Sequence, residues 1–448
     1  MDLRTGITEL MPRAREELTE LVAMRSVADA RQFPPEECEA TARWVQEKFR
    51  ECGFADIHLE ETADGSQAVI GSRPGTDPDA PTVLLYAHYD VQPPLEEDAW
   101  RTPPFELTEV DGRWYGRGTA DCKGNIVMHL AALRALGEDL AVNLKLVVEG
   151  SEEQGTGGLE AFVPDHADLL RADTILVCDT GNAAVGLPAA TVSLRGMVNL
   201  VVSVEALATE LHSGMFGGAA PDALAALVAM LATLRDAEGN TTIDGLDNTQ
   251  TWSGEPYPPD QFRSDSGVVD GATLIGSGTV SDMLWARPAV TILGIDCAPV
   301  VGSASSITPR AAARLNLRIP PGVTGQQAQD ALVSHLEARV PWGLHCDIQR
   351  VALGDPFVGS LDGPGYRSLK AAMEEAFGRP MATEGQGGSI PLCNVLAETY
   401  PDAEIMLLGV EEPKCLIHAP NESVDPSEIE HLAVAEALFL ERYAGAAR

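Results

Sequence analysis

Three short, largely apolar, strand-like runs stand in the first half of the chain, at 82–87, 144–149 and 174–178. Their length and their Val, Ile and Leu content fit strands buried on both faces. Segments with helical spacing of apolar residues alternate with them, for instance over 37–52 and 124–136. Residues 1–26 place Leu10, Ala14, Leu18 and Leu21 on one face of an amphipathic helix. Strand and helix in alternation predict an α/β fold with a sheet that is at least partly parallel.

The pattern changes near Arg195. Strand-like segments at 198–204, 289–293, 311–318 and 345–351 combine with helical ones at 221–235 and 326–339. The order β-α-β-β-α-β predicts a ferredoxin-like α+β unit with one helical layer on one sheet. A polar connection rich in Gly and Asp, 236–282, interrupts it. The first character then returns with a helix at 365–377 and a strand at 404–408. The expectation is therefore an α/β domain built from 1–190 and 354–448, interrupted by an inserted α+β domain, 191–353. A length of 448 residues also exceeds one ordinary hydrophobic core.

Composition narrows the functional classes. A net charge of −36 repels phosphate and argues against a general nucleic-acid binder. The beginning of the chain has no signal-peptide core, and the most apolar helical stretch, 223–234, is too short to span a bilayer. Eight cysteines are scattered with no C-x-x-C pair. The expected setting is cytoplasmic, with reduced thiols and no membrane association.

Candidate chemistry follows each apolar run. The first leads into His88-Tyr89-Asp90, the second into Glu152-Glu153, the third into Asp179. Ligands in open α/β sheets gather at the carboxyl ends of strands. Asp121 sits on the Gly-rich turn 116–124 before a helix, and His418 follows a short apolar segment. Singly these are ordinary residues: a paired glutamate opening a helix, an aspartate in a turn, a buried histidine. Their joint placement suggests a site for two divalent cations. Such ions take imidazole and carboxylate ligands and are bridged by a shared carboxylate. Asp121 is the candidate bridge, with His88 and Asp179 on one ion and Glu153 and His418 on the other. Glu152 is then free to act as general base, and Asp90 to accept the second ring N–H of His88. Zinc, manganese and cobalt all suit these donors.

These motifs, with Gly116-Arg117-Gly118 and Asp121-Cys122-Lys123-Gly124, resemble those of the co-catalytic di-metal peptidases and deacylases. That family includes carnosinase-type dipeptidases, carboxypeptidase G, aminoacylase, acetylornithine deacetylase and succinyl-diaminopimelate desuccinylase. The resemblance runs from about Glu17 to His431 and is strongest to the carnosinase-type dipeptidases. It implies the ligand roles above, Glu152 as general base, and a lid domain through which two copies dimerise. It gives meaning to four further segments. His212, within Leu211-His212-Ser213-Gly214, would stabilise the oxyanion in the partner's site. Ser306 would lie on the substrate-binding stretch. Arg318, with Gly387, Gly388 and Ser389, would hold the substrate carboxylate.

The chain departs from the pattern at Cys122, where many relatives have an acidic residue or Met, and at Ser306, where some have Asn. Asp179 and the His-Ser-Gly segment lean towards peptide substrates. The implied activity is hydrolysis of dipeptides or short peptides. The alternatives are an N-acyl amino-acid deacylase on the same scaffold and a non-catalytic binding protein.

Overall fold

A computed structural model describes residues 2–446, which form two compact units. The first runs through Val192 and resumes over Gly359–Glu384 and from Pro391 onward. The second comprises Ser193–Val358 and Gly385–Ile390. The segment 385–390 thus groups with the inserted unit, although the sequence pattern leaves it in the outer domain.

The first unit is α/β. Its sheet runs in the order His58–Glu61, Gln67–Arg73, Asn143–Glu149, Thr82–His88, Thr174–Cys178, Glu404–Leu408, and continues with a strand that begins at Ala189. The four strands from Asn143–Glu149 to Glu404–Leu408 are mutually parallel. Gln67–Arg73 joins them antiparallel, and Leu407 pairs antiparallel with Thr191 on the other side. The parallel strands read as continuous apolar runs because both faces are covered. Val83, Leu85 and Ala87 enter a core shared with the helices Leu3–Ala23, Pro35–Glu51, Lys123–Leu136, Pro364–Phe377 and Pro426–Ala446. Leu84 and Tyr86 are buried on the opposite side.

Register then places the site. His88 pairs with Glu149, and Cys178 pairs with Leu408. The segments leaving these four strand ends therefore emerge along one edge of the sheet. Gly150 begins one of them. A Cβ there would strike the phenolic hydroxyl of Tyr89, which donates to the Gln67 carbonyl at 2.6 Å.

The second unit has the β-α-β-β-α-β order. Its sheet runs Ala289–Asp296, Arg310–Ile319, Gly196–Glu205, His345–Gly354, with every neighbour antiparallel. Inward residues such as Val198, Leu200, Leu315 and Leu317 pack against the helices Ala223–Ala232 and Gly325–Glu337. Asp222 caps the first helix through the Leu224 and Ala225 N–H groups. Thr324 and Gln327 form a capping box on the second. The polar connection carries one helix, Pro259–Ser266. Among the described residues no helix is long and apolar enough to cross a membrane.

Candidate active site

Five side chains from separate segments of the first unit meet at the sheet edge. His88 Nε2 lies 3.0 Å from Asp121 Oδ1 and 3.0 Å from Asp179 Oδ1. His418 Nε2 lies 2.9 Å from Asp121 Oδ2 and 3.1 Å from Glu153 Oε2. The two oxygens of Asp121 thus face two different imidazoles, each accompanied by a second carboxylate. His88 is fully buried, whereas the His418 side chain is 54% exposed. His418 also adopts φ 60°, a left-handed conformation uncommon for a residue with a Cβ and often found where function demands it.

The surrounding contacts fix these groups. His88 Nδ1 lies 3.0 Å from the Asp90 carbonyl and 3.4 Å from Asp90 Oδ1. The Asp90 carboxylate itself accepts the Glu152 and Glu153 backbone N–H groups, at 3.2 and 3.0 Å. Asp90 therefore holds the glutamate pair as well as the histidine. Gln92 donates to Glu153 Oε2 at 2.7 Å. The Cys122 thiol donates to the Cys178 carbonyl at 3.0 Å, tying the Asp121 turn to the strand that delivers Asp179.

Two glutamates that the sequence pattern does not single out complete the picture. Glu422 is buried, and its carboxylate collects four donors. Arg117 Nη1 and Gly118 N reach Oε2 at 2.7 and 3.0 Å, while Ala120 N and Asp121 N reach Oε1, each at 3.1 Å. Burial raises its pKa, but Arg117 and the three N–H groups favour the carboxylate. Glu411 is 6% exposed and brings a carboxylate oxygen within 4.8 Å of those of Asp121 and Asp179. The signal for both was available: Glu411 lies just beyond the apolar strand Glu404–Leu408, and Glu422 stands four residues after His418.

The electrostatics describe a site short of positive charge. Burial, then the charge of Asp179, raises Glu152 well above the usual carboxylate range. Burial and Asp121 push Glu153 up to about 7. Hydrogen bonds donated by its ring to Asp121 and Glu153 hold His418 up at about 11. Asp121 is held low by hydrogen bonds from the two imidazoles despite its burial, while its carboxylate neighbours are raised, a crowding of acidic groups that suits cations. The mixed N and O donors, at mutual distances of about 3 Å, fit two divalent ions sharing Asp121.

The remaining expected residues lie in the inserted unit. His212 is exposed and pairs across a short two-strand ribbon with Ser306. Its Nδ1 accepts the Gly214 N–H at 3.1 Å, which leaves Nε2 as the ring's donor. Ser306 Oγ donates to Glu210 Oε2 at 3.1 Å. Arg318 is half-buried on the strand Arg310–Ile319.

An open α/β sheet with paired His and Asp/Glu clusters at its strand ends defines a metallopeptidase. The chain belongs to peptidase family M20/M25/M40, whose model matches residues 84–442. It is 41% identical over 444 residues to a cysteinylglycine-S-conjugate dipeptidase of Corynebacterium striatum, covering 98% of this chain and 97% of that one. It is 28% identical over 462 residues to the Beta-Ala-His dipeptidase of Rattus norvegicus, covering 96% and 89%. In fold it is similar to the dipeptidase Dug1p of Saccharomyces cerevisiae, with a TM-score of 0.81, 23% identity and coverage of 99% and 98%.

Proposed function

We propose that the protein is a dipeptidase that hydrolyses the peptide bond of short peptides with free carboxy termini. The observation that carries this reading is the division of Asp121 between two histidine–carboxylate sets, with the unligated Glu152 beside them. His88, Asp121 and Asp179 would hold one divalent cation, and Asp121, Glu153 and His418 the other. When bound, the cations polarise the scissile carbonyl and acidify water at the site.

Glu152 takes one proton from the attacking water as the C–O bond forms. Its raised pKa suits a group that must hold that proton and then release it. It delivers that proton to the departing nitrogen as the C–N bond breaks, and the second proton of the attacking water follows it to the same nitrogen, giving a carboxylate and an ammonium group. Asp90 keeps Glu152 in place through its backbone N–H. His212 of the partner subunit would donate from Nε2 to the developing oxyanion. Arg318, with Gly387, Gly388 and Ser389, binds the substrate carboxylate, and Ser306 borders that stretch.

Zinc is the resident metal in this reading, with manganese and cobalt compatible with the same donors. The protein works in a reducing compartment, the cytoplasm, in keeping with eight unpaired cysteines. It forms a homodimer through the inserted unit. The edge strand Ala289–Asp296 leaves Ile292, Leu293 and Ile295 exposed, a poor arrangement for a surface facing only water.

The test is Glu152→Gln assayed on dipeptides beside N-acetyl and N-succinyl amino acids. Turnover should fall by at least about a thousandfold while metal content stays at the wild-type level. Full activity in this variant would refute the general-base role. Preference of the wild type for acylated amino acids would make the protein a deacylase.

A further inference from the structure

Glu411 stands at the catalytic edge without a task in the reaction above. It lies just beyond the strand Glu404–Leu408, with its backbone locked against the segment that leaves Asp179. The Asn182 N–H donates to the Glu411 carbonyl at 2.8 Å, and a Cβ on Gly181 would stand 2.2 Å from that carbonyl oxygen. Only glycine allows so close an approach. On the chain's other side the Val410 N–H donates to Asn125 Oδ1 at 3.0 Å. The backbone that aims the Glu411 side chain therefore has little freedom.

Glu411 is 6% exposed, yet among the described residues its carboxylate receives no hydrogen bond and forms no ion pair. The carboxylates around it are treated differently. Asp90 accepts two backbone N–H groups, Glu153 is met by Gln92 and His418, and Glu422 collects four donors. A buried carboxylate without donors is unfavourable in itself. Here the position is worse, because oxygens of Glu411, Asp121 and Asp179 all lie within 4.8 Å of one another. A proton among them relieves one charge, whereas a divalent cation relieves all three.

Two of these three carboxylates already belong to the first cation set. His88 Nε2 lies 3.0 Å from Asp121 Oδ1 and 3.0 Å from Asp179 Oδ1, and Glu411 approaches the same pair. The second set is Asp121, Glu153 and His418, and among the described residues no fourth His, Cys, Asp or Glu joins it.

We propose that Glu411 is a fourth protein ligand of the His88 cation, which makes the two cation positions unequal. Four side-chain ligands close a position and hold its ion, whereas three leave a vacancy at which water or substrate binds. The His88 position is thus closed and retentive, and the His418 position open and exchangeable. Exposure runs the same way, since His88 is fully buried and the His418 side chain is 54% exposed. The inference rests on the two-cation reading above and adds to it a ligand and an order of affinity.

The experiment is metal analysis of the full-length protein, loaded with zinc and dialysed against rising concentrations of a chelator. If wild type takes up no zinc, the two-cation reading fails before Glu411 is tested. Otherwise it should pass through a plateau at one zinc per chain. His418→Ala should hold one zinc per chain over the same range. Glu411→Gln should lose the plateau, with affinity for the tighter zinc lowered by more than about 100-fold, past the roughly 10- to 100-fold expected when an outer partner of a ligand is removed. Glu411→Asp keeps the charge but draws the oxygens back by one methylene, so it should lose the plateau as well, and it carries the test if Glu411→Gln does not fold by circular dichroism. Four results would overturn the assignment: a plateau that survives in both Glu411 variants, one that Glu411→Asp alone preserves, its loss in His418→Ala, or release of both ions from wild type in one step.

Discussion

Replacing Glu422 with glutamine tests how the Asp121 turn is held. The side chain keeps its shape but one acceptor oxygen becomes an NH2 group. Each oxygen of Glu422 now accepts two buried hydrogen bonds, so two donors lose their acceptor whichever way the amide turns. Retaining the oxygen on Arg117 and Gly118 costs least, because a buried guanidinium is the worst group to strand. The amide NH2 then faces the backbone N–H groups of Ala120 and Asp121. At about 1–3 kcal/mol for each orphaned donor, the loss is about 2–6 kcal/mol. For about 3 kcal/mol in a unit of this size, Tm should fall by roughly 6–12 °C. Because the weakened N–H belongs to Asp121, cation affinity should fall too. Scanning calorimetry with and without chelator, together with metal content after dialysis, measures both. A variant that melts within about 1 °C of wild type and retains its metal equally well would show that Glu422 does not hold the turn.

Further outcomes follow from the same geometry. Chelation should lower Tm, because bound cations stabilise the folded state by mass action and their removal leaves adjacent carboxylates unscreened; zinc should restore it, and an unchanged Tm would contradict a cation site. Glu428 is buried, accepts the Gly186 N–H at 2.7 Å, and is pushed up to about 7 by burial from an ordinary 4.5. A raised carboxyl pKa stabilises the fold at low pH and loses that contribution as pH rises from about 4.5 through about 7. The Tm of wild type relative to Glu428→Gln should therefore decline across that window; a constant difference would refute the shift. Leu293→Asp on the exposed edge strand should convert a dimer to monomers in light scattering, with the fold retained; a persisting dimer would place its interface elsewhere.

Much of this architecture is legible in the residues. The runs at 82–87, 144–149 and 174–178 mark their strands within a residue or so because both faces are buried, and a strand with no polar face reads as a plain apolar block. His88, Glu152, Glu153 and Asp179 are legible for the same reason, since each closes or follows such a block, whereas Asp121 stands on a Gly-rich turn. The strand Gln67–Arg73 was not, because Gly71 and Ser72 break its apolar run and its identity comes from pairing with Asn143–Glu149. The helix Pro426–Ala446 carries Glu428 and Glu436 inside the fold, which blurs its apolar stripe. Glu411 and Glu422 carry only weak local signals, a place just beyond an apolar strand and one four residues after His418, because the partners that give them meaning lie hundreds of residues away.

Asp121 can complete both of its sets only when His418 is present, and His418 is made after the entire inserted unit. On a ribosome, the leading part of the sheet can fold while half of one ligand set is still missing. A chain that ends before residue 418 therefore keeps the His88–Asp121–Asp179 set but lacks the imidazole that faces Asp121 Oδ2 and Glu153.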